Sequence, residues 1–205
     1  MTKLDKLVET IKDKIKHLPD PMAKQIHVLY PNDPFKILIS CLLSLRSKDN
    51  TIIPILPVLF SAYKTPEDFA NADIKKLEGI IKPSGFFRKK AHALQKISQE
   101  IIIKHHGQVP NSYQELISLT GVGPKTANLV LAEAFKIPAI CVDTHVHRLS
   151  NHMGLVKTKT PEETQVVLEK VLPLKYWLEW NNLLVTWGQN ICKPNSKNCK
   201  CPKLN

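Results

Sequence analysis

Apolar positions recur three and four residues apart along most of this chain. Leu4, Leu7, Val8, Ile11, Ile15 and Leu18 form one stripe, lysines fill the opposite side, and Pro19-Asp20-Pro21 closes the segment. From Phe35 to Leu45 apolar residues occupy every side, which predicts a helix buried in a core. Thr65-Pro66-Glu67-Asp68 supplies an N-cap, a proline at the first helical position and two acids in the first turn. A long amphipathic helix is predicted from about Arg88 to His105 through Ala91, Leu94, Ile97 and Ile101, with Gly107 placed to cap it. Ser112 with Glu115 and Thr160 with Glu163 repeat a capping-box pattern, and Pro161 strengthens the second. Ala139 to Val142 is too short to imply a sheet, and a buried extended linker explains it as well. The pattern predicts an all-α protein.

Composition narrows the function without naming it. The 205 residues suffice for one generous domain or two small ones, and 43% hydrophobic with 23% charged residues exclude a disordered or fibrous chain. The most apolar run, Ile52 to Phe60, is broken by Pro54 and Pro57 and is far short of a membrane span, so no membrane partner is expected. The first residues, Met1-Thr2-Lys3-Leu4-Asp5-Lys6, carry no signal-like apolar region, so a cytoplasmic protein is expected, nucleoid-associated if prokaryotic. Lys and Arg number 29 against 18 Asp and Glu, a net charge of +11 that favours a polyanionic partner. Nucleic acid, anionic membrane and acidic protein stay open on charge alone. Of five cysteines, Cys192, Cys199 and Cys201 crowd near the end, a pattern that in a reducing compartment suggests a metal or cluster rather than a bridge.

The most informative segment is Leu119-Thr120-Gly121-Val122-Gly123-Pro124-Lys125-Thr126-Ala127. Two glycines permit positive φ and close approach of the backbone, Val122 can tuck inward, and Pro124 starts the next helix. The expected product is a tight helix-to-helix hairpin whose amides at a helix N-terminus suit a phosphate oxygen. Gly121, Val122, Gly123 and Thr126 are therefore candidate DNA-binding residues.

This hairpin resembles the helix-hairpin-helix of the endonuclease III family of DNA glycosylases and abasic-site lyases. The resemblance continues into Val142-Asp143-Thr144-His145-Val146-His147-Arg148. It runs back to Phe35-Lys36-Ile37-Leu38-Ile39-Ser40-Cys41-Leu42-Leu43-Ser44 and forward to Trp187-Gly188 and the cysteine tail. It implies a helix-hairpin-helix glycosylase fold, two helical subdomains flanking a DNA-binding groove. A central domain is expected over 22–137, with the hairpin at about 112–135. Residues 1–21 plus 138–205 are expected to form the second subdomain, with Asp143 facing Lys125.

The resemblance also implies the chemistry. Lys125 is the expected nucleophile and Asp143 its carboxylate partner. In the first turn of its helix the macrodipole disfavours an ammonium at Lys125, and partial burial would act the same way, leaving an amine able to attack C1′ of a deoxyribose. The implied function is excision of damaged, oxidised pyrimidines from duplex DNA, followed by β-elimination through a Schiff base. A mismatch uracil or thymine glycosylase of the same fold and a non-catalytic helix-hairpin-helix binder are the alternatives. Double-stranded DNA carrying damaged bases or abasic sites is the expected partner, and a monomer is expected.

An enzyme acting at C1′ inside a duplex must extrude the nucleotide and fill the gap. Family wedge loops correspond here to Leu45-Arg46-Ser47-Lys48-Asp49 and Lys82-Pro83-Ser84-Gly85-Phe86-Phe87, with Arg46 and Phe86 the expected wedge residues. The family pattern has Gln where this chain has Arg46. From Gly79 to Gln99 no acid occurs while Lys82, Arg88, Lys89, Lys90 and Lys96 do, so Lys89 and Lys90 are expected to grip the DNA backbone, and His145 to contact phosphate or orient the Asp143 loop. The family holds a [4Fe–4S] cluster on four cysteines. This chain has Cys192, then six residues, Cys199, then one residue, Cys201, and no fourth. A three-thiolate cluster, a zinc site and a metal-free loop all remain open.

Overall fold

The computed structural model describes residues 2–194 and 201–204. Among the described residues the chain is helical, without strands, in this order. First come α1 (Lys3–Ile15), α2 (Met22–Leu29), α3 (Pro34–Ser44), α4 (Asp49–Ile52), α5 (Ile55–Ala62), α6 (Pro66–Ala70), α7 (Ile74–Ile81) and α8 (Phe87–His105). After them follow α9 (Tyr113–Ser118), α10 (Pro124–Phe135), α11 (Thr144–His152), α12 (Pro161–Val171) and α13 (Trp177–Asn190). Short 3₁₀ turns cover Lys82–Ser84 and Leu174–Tyr176. The chain divides into two compact units, Met22–Lys136 and Met1–Pro21 with Ile137–Asn205.

In the Met22–Lys136 unit, α3 is the buried core helix that its sequence predicts, with Phe35 and Ile37 through Leu43 all buried. It packs on α10, and α8 packs on α6 and α7. Phe69 contacts Phe35, Phe60 and Tyr63, most of these rings meeting edge to face. The Ile52–Phe60 run splits into α4 and α5, and Pro57 falls in the first turn of α5, where its missing N–H removes no helical hydrogen bond. The reversal that ends α8 comes one residue before the expected glycine. His106 takes the left-handed conformation (φ 53°) and Gly107 follows at φ 79°. The Gly107 amide reaches back to the Ile101 carbonyl at 3.1 Å.

In the other unit, Thr2 and Asp5 form a capping box that starts α1, and Leu7, Val8 and Ile11 bury its stripe. The stripe outlasts the helix: α1 stops at Ile15, and Leu18 closes a turn through its amide to the Ile15 carbonyl. Val8, Ile11, Val146, Leu149, Trp180 and Leu184 form the centre of one apolar core, with α13 packed on α1 and α11. Ala139 to Val142 is buried and forms neither helix nor strand. Its polarity is met singly, as where Asn181 Nδ2 donates to the Cys141 carbonyl at 3.1 Å.

Candidate active site

The hairpin begins at Ser112, whose hydroxyl accepts the Glu115 amide and starts α9. Successive turns follow, Leu119 N–H to the Leu116 carbonyl and Val122 N–H to the Leu119 carbonyl, each at 3.1 Å. Gly121 alone of the two glycines adopts positive φ, at 82°. Val122 points inward and is buried, as its position predicts. Gly123 is the N-cap of α10 at an ordinary φ of −100°, and a Cβ built there would meet no protein atom within 4 Å. The fold therefore requires glycine at 121 for its backbone. At 123 it leaves open space beside a helix N-terminus.

A residue with no sequence signal holds this turn in place. The Glu100 carboxylate, on α8, accepts the Thr120 amide at 2.7 Å and the Thr120 hydroxyl at 2.8 Å. Partial burial opposes its ionisation, but the two Thr120 bonds, helped by Lys104 and Lys96, outweigh it and hold the carboxyl below its ordinary range. With the folded value lowered, Glu100 stabilises the fold above the ordinary carboxylate range and loses that contribution as pH falls through the lowered value. Glu100→Gln should destabilise the protein by about 1 kcal/mol at pH 7. Chemical denaturation at pH 7 and pH 3.5 should show the wild-type–variant difference shrinking in acid.

Pro124 and Lys125 are the first two residues of α10. Lys125 is exposed, so the burial expected for it is not what the fold provides. Its field still reaches the core: the fully buried Cys41 thiol is pushed up to about 12 by burial and by Glu133, with Lys125 acting the other way. Thr126 is only 4% exposed, so little of it is open to a bound molecule and the DNA contact expected of it has little surface to act through.

Asp143 is half-buried at the N-cap of α11, and its Oδ1 accepts the Val146 amide at 2.8 Å. Two residues on, the His145 ring lies against Gly188. A Cβ there would come within 2.3 Å of His145 Nδ1, so Gly188 is small because the imidazole occupies the place of its side chain. His147 belongs to the helix packing, its Nδ1 2.6 Å from Thr164 Oγ1.

The expected wedge residues both project from strained turns. Arg46 is exposed at φ 56°, and Phe86 is 60% exposed at φ 48° as the N-cap of α8. Lys89 is exposed as a backbone-gripping residue should be. Lys90 is not. Its ammonium turns inward and donates to the Leu43 carbonyl (2.7 Å), Ser47 Oγ (2.6 Å) and the Ser84 carbonyl (2.9 Å). With all three N–H donors used inside the protein, the expected phosphate contact at Lys90 gives way to an internal role.

In the tail, Cys199 lies outside the described residues. Cys192 and Cys201 are buried in the apolar core. Arg148 Nη1 donates to Cys192 Sγ and Trp187 Nε1 to Cys201 Sγ, each at 3.2 Å. Burial also raises the Cys201 thiol above its usual range, favouring the protonated form over a thiolate. Among the described residues no three His, Cys, Asp or Glu side chains gather as a metal site. Cys41, on α3, and Cys141, on the segment between α10 and α11, are buried and outside any disulfide. Cys192 is disulfide-bonded, which corrects the expectation of a metal rather than a bridge at that cysteine: a sulfur held in a disulfide is no thiolate donor.

A family model described as HhH-GPD superfamily base excision DNA repair protein matches residues 39–174, a span that includes the hairpin, Lys125 and Asp143. The chain belongs to the HhH-GPD superfamily. Among relatives of this HhH-GPD protein, endonuclease III of Thermotoga maritima is 44% identical over 88% of the chain and 87% of its own length. Endonuclease III of Bacillus subtilis is 36% identical over 97% of the chain and 90% of its own. The fold is likewise similar to the solved structure of a non-covalent endonuclease III–DNA complex. The TM-score is 0.85 at 31% identity, covering 100% of this chain and 94% of that one. A trapped endonuclease III–DNA covalent intermediate, the estranged-adenine complex, matches at 0.85 and 32% identity, covering 98% of this chain and 93% of that one. Among the described residues of this HhH-GPD protein no helix is long and apolar enough to cross a membrane.

Proposed function

We propose that this HhH-GPD protein is a base-excision-repair DNA glycosylase with abasic-site lyase activity, acting on oxidised pyrimidines in duplex DNA. The observation that carries the reading is the placement of Lys125. A primary amine stands exposed in the first turn of α10, directly after a glycine turn whose N-cap leaves room for a phosphate.

The neutral Lys125 amine attacks C1′ as the glycosidic bond breaks and the base departs with the bonding electrons. Loss of the amine proton and opening of the sugar leave an imine between Nζ and C1′. The imine acidifies the C2′ proton; its removal expels the 3′ phosphate oxygen and cuts the strand by β-elimination. Hydrolysis of the imine returns the amine. Asp143 serves as the carboxylate that accepts a proton from the amine and stabilises positive charge on the sugar. Hairpin amides, Lys89 and the net charge of +11 hold the phosphates. Arg46 and Phe86 occupy the space left by the extruded nucleotide. No step of this chemistry runs through the cysteine tail.

Borohydride reduction of wild-type protein with abasic duplex should leave a covalent adduct, and a panel of single-lesion duplexes should show oxidised pyrimidines cut fastest. A panel in which uracil or thymine mismatches are excised and oxidised pyrimidines are not would assign the mismatch activity instead. Binding without excision or trapping would leave only a DNA-binding module.

The two hairpin glycines should separate stability from binding. Gly121→Ala should destabilise the protein by about 1–2 kcal/mol, because alanine is strained at φ 82°. Gly123→Ala should leave the melting temperature nearly unchanged, since nothing in the protein obstructs a Cβ there. It should weaken abasic-duplex binding roughly 2- to 10-fold by crowding one phosphate contact. Thermal melts and a filter-binding titration of both variants check this.

A further inference from the structure

Arg46 and Phe86 share an uncommon backbone. Leu45 (φ −56°, ψ 121°) and Arg46 (φ 56°) occupy the central positions of a type II-like turn closed by the Ser47 amide on the Ser44 carbonyl at 3.0 Å. Glycine or asparagine is usual at the second position, not arginine. Phe86, at φ 48° and ψ 25°, is a bulky residue in the left-handed well, immediately after Gly85. Each conformation costs about 1–2 kcal/mol and persists only where the surroundings over-determine it.

Lys90 supplies that determination for both turns at once. Its main-chain N–H bonds to the Phe86 carbonyl at 3.0 Å, closing the first turn of α8 around Phe86. Its side chain then reaches the C-terminal end of α3, where the Leu43 carbonyl needs a donor, and the Ser84 carbonyl at the end of the 3₁₀ turn before Phe86. Between them the ammonium holds Ser47 Oγ, which in turn donates to the same Ser84 carbonyl. The placement runs against simple electrostatics. A lysine in the first turn sits at the positive end of its own helix, and burial with no carboxylate among these acceptors lowers its pKa to about 8. Arrayed against it are two carbonyls and a hydroxyl from the two turns that carry the exposed Arg46 and Phe86.

We propose that Lys90 is the positioning residue of the wedge, tying the Arg46 and Phe86 turns into one preformed block that enters the duplex as a unit. The assignment rests on the lyase reading above. It separates unstacking of the duplex, which needs the block, from imine formation at Lys125, which does not.

The test compares single-turnover borohydride trapping on a duplex abasic site with trapping on the same oligonucleotide as a single strand, where nothing need be unstacked. Lys90→Met removes the three donors without burying a new charge, and Ser47→Ala removes the bridging hydroxyl. Lys90→Met should lower the duplex-to-single-strand rate ratio roughly 10- to 100-fold, the scale of a displaced positioning group, and Ser47→Ala should lower it less. In the duplex, 2-aminopurine beside the abasic site should lose much of its protein-induced fluorescence rise in both variants. If Lys90→Met does not fold, the Ser47→Ala ratio and fluorescence decide. A ratio unchanged within about twofold, or equal loss on both substrates, assigns Lys90 only general stability and overturns the proposal. Wild-type protein that traps neither substrate refutes the lyase reading beneath it, an outcome visible before any variant is made.

Discussion

Lys125→Ala protein should form no borohydride-trapped adduct with abasic DNA and should lose β-lyase activity by at least about 10³-fold. No other change at the candidate site should abolish trapping outright, because an imine needs a primary amine at the point of attack. The substitution is also clean. Lys125 is exposed at the start of α10, so its removal opens no cavity, and stability should change by less than about 0.5 kcal/mol. A fall in activity at constant melting temperature therefore reports chemistry. Lys125→Gln should still bind abasic duplex, since the hairpin backbone makes the phosphate contacts in this reading. An Ala variant that still traps DNA would mean another amine is the nucleophile.

The second large effect belongs to Asp143, where two roles can be separated by two substitutions. Its Oδ1 caps α11 by accepting the Val146 amide, a role that needs an oxygen acceptor but no charge. Asp143→Asn keeps that acceptor and removes the charge. It should melt near the wild-type temperature while single-turnover excision falls about 10²- to 10⁴-fold, the range for losing a positioned proton acceptor. Asp143→Ala should lose similar activity and, in addition, about 1 kcal/mol of stability from the missing cap. Excision by Asp143→Asn within a few-fold of wild type would leave Asp143 a helix cap and nothing more.

Much of this was legible in the sequence because it depended on near neighbours. A capping residue bonds an amide three residues away, so Thr65, Ser112 and Thr160 mark the starts of α6, α9 and α12 in the linear order. The all-round apolar run of α3 announced a buried helix, and the glycine turn with Pro124 announced a hairpin. Where local signals competed, the sequence misled by a residue or a role. The α1 stripe runs past the helix end at Ile15, and the reversal after α8 falls on His106 rather than Gly107. Thr126, in the motif with Lys125, turns its side chain into the core.

The sequence by itself determined the helices, the hairpin and the positions of Lys125 and Asp143, since spacing of three and four residues and the choice of turn residues act within one or two turns of chain. Only the tertiary structure decided what distant residues do to one another. Glu100 meets Thr120, His145 fills the space that Gly188 leaves, and Lys90 leaves the surface to join carbonyls from α3 and the Ser84 turn. A lysine in a basic, acid-free stretch reads as a solvated cation because sequence records its charge. Its acceptors are main-chain carbonyls, which every residue carries, and only folding brings two of them and a hydroxyl to one ammonium.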